Sequence, residues 1–258
     1  MTWTPDVYLN FAAYRVRPVA DLLPRITPPD QGVLYDLGCG PGNVTVKLKA
    51  RWPARTVIGV DSSPEMIETA HRKHSEEGVT FELGNIAAWN ASQPAALIFT
   101  NAALHWVPSH ETLLPRLARN LMPGGVLAVQ MPLGQRAPYH TCIDDIAASP
   151  RWRDTLAKAH PQTTPLSAGE YDELLAPLMD DIDIWETDYR HVLTGEDPVA
   201  AWASGTTLVP YTSLLEKTEA AAFTAAYATA VREAYPPQSD GRTIFTMRRI
   251  FIVARRRA

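Results

Sequence analysis

The sequence predicts an α/β fold: a doubly wound, mostly parallel seven-stranded sheet with a helical cap. Three observations carry that expectation. Largely apolar runs at residues 33–37, 56–61, 96–101 and 126–131 have the length and continuity of strands buried on both faces. The first, Val33-Leu34-Tyr35-Asp36-Leu37, breaks into Gly38-Cys39-Gly40-Pro41-Gly42-Asn43, then into a helical pattern with Val44, Leu48 and Trp52 on one face. A mostly helical stretch over 197–236, broken at 205–210, separates the sixth and seventh strand patterns. It is longer than a sheet connection needs, and with the N-terminal helix it reads as a cap.

The glycine loop narrows the chemistry. Glycine at alternate positions lets the backbone turn sharply and lets a ligand approach closely, and the helix behind it starts with unpaired N–H groups. Those features suit any nucleotide. A dinucleotide fingerprint needs G-x-G-x-x-G, but here Gly42 comes one residue early and Asn43 stands in its place. Asp36, two residues before Gly38, would repel a pyrophosphate and suit a cationic or amine-bearing ligand. The run Asp36-Leu37-Gly38-Cys39-Gly40-Pro41-Gly42 resembles motif I of the seven-strand, class I S-adenosylmethionine-dependent methyltransferases, which have a Rossmann-like sheet. That resemblance implies S-adenosyl-L-methionine as cofactor, with the loop near its methionine part and the acid toward the ammonium.

In chain order, residues 6–24 form a helical pattern, with Thr4 as cap, Pro5 in the first turn and Val7, Tyr8, Phe11 and Tyr14 at helical spacing. The pattern pauses at Arg17-Pro18 and resumes through Val19, Leu22 and Leu23. Arg15 and Arg17 read either as surface charge or as an anion clamp, since a guanidinium fork grips carboxylates. The second strand ends on Asp61-Ser62-Ser63-Pro64: Ser63 caps a helix that Pro64 opens, and Asp61 stands where doubly wound folds hold ribose hydroxyls. The third strand, 79–83, runs into Gly84-Asn85-Ile86. The fourth leads through Asn101 into Ala102-Ala103-Leu104-His105-Trp106, beside strand one, where active groups of open sheets collect. A helix over 111–121 carries Leu113, Leu114, Leu117 and Leu121 on one face, and Met122-Pro123-Gly124-Gly125 stops it before strand five, 126–131. Residues 139–156 are helical with interruptions, 167–178 form a helix with a Ser167/Glu170 capping box, and 182–192 alternate as strand six. The expected organisation is one domain over 1–258: a cap segment 1–30, a cofactor-binding core 31–193, a cap insertion 194–238 and a final strand 243–256.

Composition excludes several classes. The net charge of −4 has its acids and bases interspersed, which argues against nucleic acid or an anionic membrane as partner. Arg255-Arg256-Arg257 is the exception, read as a solvated tail. The two cysteines, Cys39 and Cys142, form neither a disulfide framework nor a zinc spacing. The N-terminus lacks a basic-then-apolar leader, and no apolar run approaches spanning length, so a cytoplasmic location is expected. No nucleophile–base–orienter triad and no metal motif stands out. The expectation is positioning without a catalytic acid or base, and no metal. The sequence does not specify an oligomeric state.

Further segments are similar to the bacterial trans-aconitate methyltransferases. They include Trp3-x-Pro5 with Tyr8-Leu9-x-Phe11, Arg15-x-Arg17-Pro18, Gly59-Val60-Asp61-Ser62-Ser63-Pro64-x-Met66-Ile67, Ile98-Phe99-x-Asn101-Ala102-x-Leu104-x-Trp106 and Arg249-x-Phe251-Ile252-Val253-Ala254-Arg255-Arg256. The resemblance implies esterification of one carboxylate of a small polycarboxylic acid, trans-aconitate, with S-adenosylhomocysteine as second product. It implies that the cofactor lies on Asp36, Gly38, Cys39, Gly40, Gly42, Asn43, Asp61, Ser62, Met66, Asn85, Ile86 and Asn101. The acceptor falls to Arg15, Arg17, His105, Trp106, Tyr139 and Arg249, with Arg248 and His191 as further candidates. This chain has Asn85 where the family commonly has an acid, His105 where it tends to have an amide, and Val209 where it tends to have arginine. A related small acid therefore stays open. So do a methyltransferase acting on a carrier-bound malonyl thioester or a quinone-type ring, and a noncatalytic cofactor-binding module.

Overall fold

A computed structural model describes residues 12–74, 77–159 and 163–258, the first four of them by backbone alone. The chain gathers into two compact units. The first contains Val16–Pro132, Pro165–Glu186 and Ile250–Ala258; among the described residues the second contains residues 12–15, Leu133–Thr164 and Thr187–Arg249.

The first unit is built on parallel strands. β1 (Val33–Leu37) pairs with β2 (Val57–Asp61) on one side and β4 (Ala95–Asn101) on the other; β2 pairs with β3 (Thr80–Leu83), and β4 with β5 (Leu121–Pro132). With β6 (Met179–Leu193) and β7 (Thr243–Arg256), the seven-stranded sheet has the order β3-β2-β1-β4-β5-β7-β6. β1 is buried along its whole length, as a parallel strand covered on both faces must be. Helix α1 is Ala12–Leu22, α2 is Thr45–Arg51 and α3 is Pro64–His74; the last two are the crossovers on either side of β2. Helix α4 (His110–Asn120) joins β4 to β5. The order of the strands reverses between β1 and β4, so the loops after them diverge and leave a crevice at their carboxyl ends. The connection from β3 to β4 has no helix. Trp89 packs edge-on against Tyr35 at 4.9 Å, and the Tyr35 hydroxyl meets Ser92 Oγ at 3.3 Å.

Several local expectations change. The expected start of the first helix, residues 6–11, lies outside the described residues. The helix does not pause at Arg17-Pro18 but passes through Pro18. Proline costs it one N–H donor, and the full burial of Val19 and Leu22 just beyond holds it together. The Met122-Pro123-Gly124-Gly125 stop is not a turn before β5. The strand already begins at Leu121, opposite Ala95, and the register shifts before Leu97 meets Val126, so the stretch is a bulge. Gly124, at φ +74°, supplies its left-handed residue.

The Arg255-Arg256-Arg257 run is no solvated tail. Arg255 donates to the carbonyls of Gly124 (2.9 Å) and Thr27 (3.2 Å), Arg256 to those of Arg119 (2.7 Å) and Leu121, and Arg257 to Asp180 (2.9 Å). Arg255 and Arg256 thus hold carbonyls of the bulge and of the end of α4. The Ser167/Glu170 capping box forms as read, in front of α7 (Ala168–Leu175). The helices between are α5 (Pro138–Ala147) and the single turn α6 (Arg153–Leu156).

The second unit is helical and aromatic. It takes α8 (Pro198–Ser204), α9 (Val209–Thr212) and α10 (Lys217–Ala234), and also α5 and α6, beyond the 194–238 insertion read from sequence. Tyr139, Trp152, Trp202, Tyr211, Phe223, Tyr227 and Phe245 share its core. The Tyr227 hydroxyl donates to the Tyr139 carbonyl at 2.8 Å, and Trp152 Nε1 donates to Glu219 at 2.8 Å.

If the terminal arginines tie β7 to the bulge, Arg256→Met should lower the melting temperature by about 2–4 °C. Arg153→Met, which removes an exposed pair with Asp154, should move it by less than about 1 °C. Calorimetric melting curves of the two variants check this.

Candidate active site

The glycine loop after β1 turns through Gly38 (φ +75°), Gly40 (φ +55°) and Gly42 (φ +83°). A Cβ on Gly38 would overlap that of Ala103 and lie 3.5 Å from Ile86 Cδ1, so only glycine lets the loops after β1, β3 and β4 meet there. Above Gly40 the space is open, as a ligand cradle requires. The N–H groups of Gly38 and Cys39 donate to the Val60 carbonyl at 2.7 and 3.0 Å. Gly40 N–H donates to Asp61 Oδ2 at 2.8 Å, and Ser63 N–H to Asp61 Oδ1 at 2.9 Å. Asp61 is half-buried, and each of its oxygens keeps a further lone pair for a hydroxyl donor. Ser63 Oγ accepts from Met66 N–H at 3.2 Å, the N-cap read from sequence. Met66 is buried, Ser62 exposed and Asn43 half-buried.

Two loop residues sit differently from the sequence reading. Asp36 does not line the open loop: it is 1% exposed and accepts from Thr45 Oγ1 at 2.7 Å. Burial pushes its carboxyl up to about 7; the Thr45 bond pulls it down and the charge of Asp61 raises it. The side chain therefore ties the end of β1 to the start of α2. Cys39 turns its thiol into an apolar cluster with Ile67, Ala70 and Phe81, where burial pushes its pKa far up. Its backbone N–H, held by Val60, is what it gives the loop. Neither Thr45 nor Ala103 is of a type that signals, in sequence, a partner lying across the fold.

After β3, Asn85 is exposed and its Oδ1 accepts from Ala87 N–H at 2.9 Å, while Ile86 is buried beside Gly38. After β4, Asn101 Oδ1 is buried with no hydrogen-bond partner, an acceptor waiting for a donor. Ala102 holds φ +53°, costly for a residue with a Cβ, and its N–H donates to the Gln130 carbonyl at 2.8 Å. A 3-10 turn, Leu104–Trp106, then presents His105, buried, with its ring 5.1 Å from that of Trp106.

The remaining acceptor candidates are scattered. Arg17 is exposed on α1, and the side chain of Arg15 lies outside the described residues. Tyr139 and Arg249 belong to the second unit, both buried. The Arg249 charge favours the Tyr139 phenolate, yet burial raises the Tyr139 pKa overall. The Tyr139 hydroxyl has no hydrogen-bond partner. Arg248 is exposed and paired with Asp188 at 3.0 Å; His191 stacks on Trp202 at 5.1 Å within the aromatic core. No group of three or more metal-ligating side chains occurs among the described residues.

The buried Asp36 gives a pH-dependent expectation. Folded, it keeps its proton up to about pH 7; unfolded, it loses it near pH 4, so rising pH favours the unfolded chain across that window. Asp36→Asn removes this penalty. Its melting temperature relative to the parent should rise between about pH 4 and 7 and level off above. A gain equal at pH 4 and pH 8 would contradict the burial argument.

Comparison with known proteins places the chain in a family. Residues 34–125 match a family model described as a methyltransferase domain. The trans-aconitate 2-methyltransferase of Methylobacterium nodulans is 44% identical over 255 residues, covering 98% of this chain and 98% of that protein. That of Azoarcus sp. is 41% identical over 253 residues, again 98% of each. Among solved structures, the YcgJ protein of Bacillus subtilis matches with a TM-score of 0.62 at 15% identity, over 94% of this chain and 99% of that one. Phosphoethanolamine N-methyltransferase 2 of Haemonchus contortus, in complex with phosphomonomethylethanolamine and S-adenosylhomocysteine, matches at 0.56 and 15%, over 94% and 53%. The solved structures speak for the fold, and near-full-length identity speaks for the family: the chain belongs to the trans-aconitate 2-methyltransferases, within the S-adenosylmethionine-dependent methyltransferases.

Proposed function

We propose that the protein esterifies one carboxylate of trans-aconitate with the methyl group of S-adenosyl-L-methionine, giving the monomethyl ester and S-adenosylhomocysteine. The observation that carries this is 44% identity over 98% of the chain to a protein of that name. The glycine cradle, the half-open Asp61 carboxylate and the orphaned Asn101 oxygen fit the cofactor. When bound, it supplies an electrophilic sulfonium methyl. The chain's own residues do the holding. Asp61 accepts the ribose hydroxyls, with Ser62 and Met66 beside it. The Gly38–Asn43 loop gives close backbone approach, with Asp36 bracing it from below. Asn85, its oxygen already engaged by Ala87, offers its amide N–H₂ to the adenine edge, and Ile86 packs on the ring. Asn101 accepts a ligand N–H or O–H. Every described cofactor candidate falls in the first unit.

A carboxylate acceptor is ionised at neutral pH and needs no general base, so alignment and water exclusion suffice. Arg249 and Tyr139 supply a cation and a hydroxyl donor for its carboxylates, Arg15 and Arg17 further cations, and His105 with Trp106 shape the reacting end. A small-molecule acceptor, not nucleic acid or a membrane, and a cytoplasmic location belong to the same reading; the net charge of −4 supports the first and two unpaired cysteines the second.

Transfer of labelled methyl from the cofactor across a panel of small polycarboxylates tests the reading: trans-aconitate should lead, and preference for a quinone ring or a malonyl thioester would overturn it. Asp61→Ala should weaken S-adenosylhomocysteine binding at least about tenfold by calorimetry. Arg249→Met should raise the KM for the acid about tenfold or more and leave cofactor affinity within about twofold.

A further inference from the structure

We infer that α4 positions both halves of the site at once: Arg116 and Asn120 hold the loop that carries Asn85 and Ile86, and His110 holds the turn that carries His105 and Trp106. The inference rests on the roles proposed above for those loops.

The loop after β3 has no strand partner of its own. Its turn is closed by Ala88 N–H on the Asn85 carbonyl (3.0 Å) and Trp89 N–H on the Ile86 carbonyl (3.3 Å). Carbonyls left over at such a turn suit a cation, as at a helix C-terminus. The Arg116 guanidinium donates to three carbonyls of the turn, those of Ile86 (2.7 Å, shared with Trp89 N–H), Ala87 (3.0 Å) and Trp89. One turn later, Asn120 Oδ1 accepts from Ala91 N–H at 2.7 Å, and its Nδ2 donates to Asn90 Oδ1 at 3.3 Å. These side chains are four residues apart, on one flank of the helix.

At the other end the device is different. His110 is buried and bonds the Leu104 carbonyl at 2.9 Å and the Tyr171 hydroxyl at 2.6 Å. A carbonyl only accepts, so the ring proton is assigned to Nε2, and Nδ1 accepts from Tyr171. The Tyr171 oxygen in turn accepts from Leu166 N–H at 3.1 Å. The chain Leu166, Tyr171, His110, Leu104 ends on the first residue of the 3-10 turn. Between the two ends, Leu113, Leu114, Leu117 and Ala118 are buried, so the helix is fixed to the core over a span of about 15 Å. His110, Arg116 and Asn120 are thus positioning residues at opposite ends of one rigid element.

The expected signature is a split. In the full-length enzyme, Arg116→Met should raise the Kd for S-adenosylhomocysteine about tenfold and leave kcat at saturating cofactor within about twofold, and Arg116→Lys should recover part of the loss. His110→Phe should do the reverse, lowering kcat/KM for trans-aconitate about tenfold with the Kd within about twofold; His110→Gln, which keeps a donor, should recover part. Tyr171→Phe gives the same readout should His110→Phe fail to fold. Amide hydrogen exchange should rise at residues 85–91 in Arg116→Met and at 103–107 in His110→Phe or Tyr171→Phe. Variants from the two ends that shift the same constant, or exchange that rises evenly over both segments, would overturn the inference. Parent enzyme that binds S-adenosylhomocysteine yet never methylates trans-aconitate would refute the function reading alone; the exchange pattern then decides on α4.

Discussion

The carboxylate of Asp61 bridges two backbone N–H groups, Gly40 in the loop after β1 and Ser63 at the start of α3, and the shape of the glycine loop depends on that bridge. Both bonds are charge-assisted, and each fixes a group that secondary structure leaves unpaired. The bridge works because the β1–β2 register sets Leu37 opposite Val60, which lets the next two N–H groups, Gly38 and Cys39, converge on the Val60 carbonyl. A slip of one residue would turn both side-chain faces over and break that convergence. The cradle is thus a product of sheet register first and of glycine content second.

Beneath the bridge lies a cost. Asp36 is a buried carboxyl with one hydroxyl donor, and burial of such a group works against the folded state above neutral pH. An amide of the same shape would accept from Thr45 equally well and carry no such penalty. What the acid adds, once it ionises above about pH 7, is negative potential under the loop. The alanine at φ +53° after β4 is a second local cost. Both fall within the frame around Gly38, where strain at a ligand site is expected to concentrate.

Much of this frame was legible because its causes are local. Continuous apolar runs at β1, β2 and β4, the Ser63-Pro64 helix start and the Ser167/Glu170 capping box each act within a few residues, and pattern reading finds them. What escaped it acts at a distance. Pro18 reads as a break until the burial of Val19 and Leu22 is seen to override it. Met122-Pro123-Gly124-Gly125 reads as a turn because the pairing of Leu121 with Ala95, which makes it a bulge, lies in another strand. Arg116 carries no signal in the helix pattern, since the three carbonyls it serves are 27 to 30 residues away. The motif makes Cys39 a cofactor contact; which way its thiol turns is decided by Ile67, Ala70 and Phe81.

The acceptor half is the least legible part for a further reason: its signal is an unmet need. The Tyr139 hydroxyl is buried without a hydrogen-bond partner, at a cost of about 1–3 kcal/mol in a folded protein. Phenylalanine would pack equally against Phe245, which meets the ring edge-on at 5.2 Å. Gly134 also stays bare where a Cβ would overlap that hydroxyl, so the backbone makes room for it. The core keeps both the hydroxyl and the room for it, within reach of the Arg249 charge. On the function proposed above, a small polycarboxylate would meet that need, and the signal for it lies in an unsatisfied atom and not in a motif.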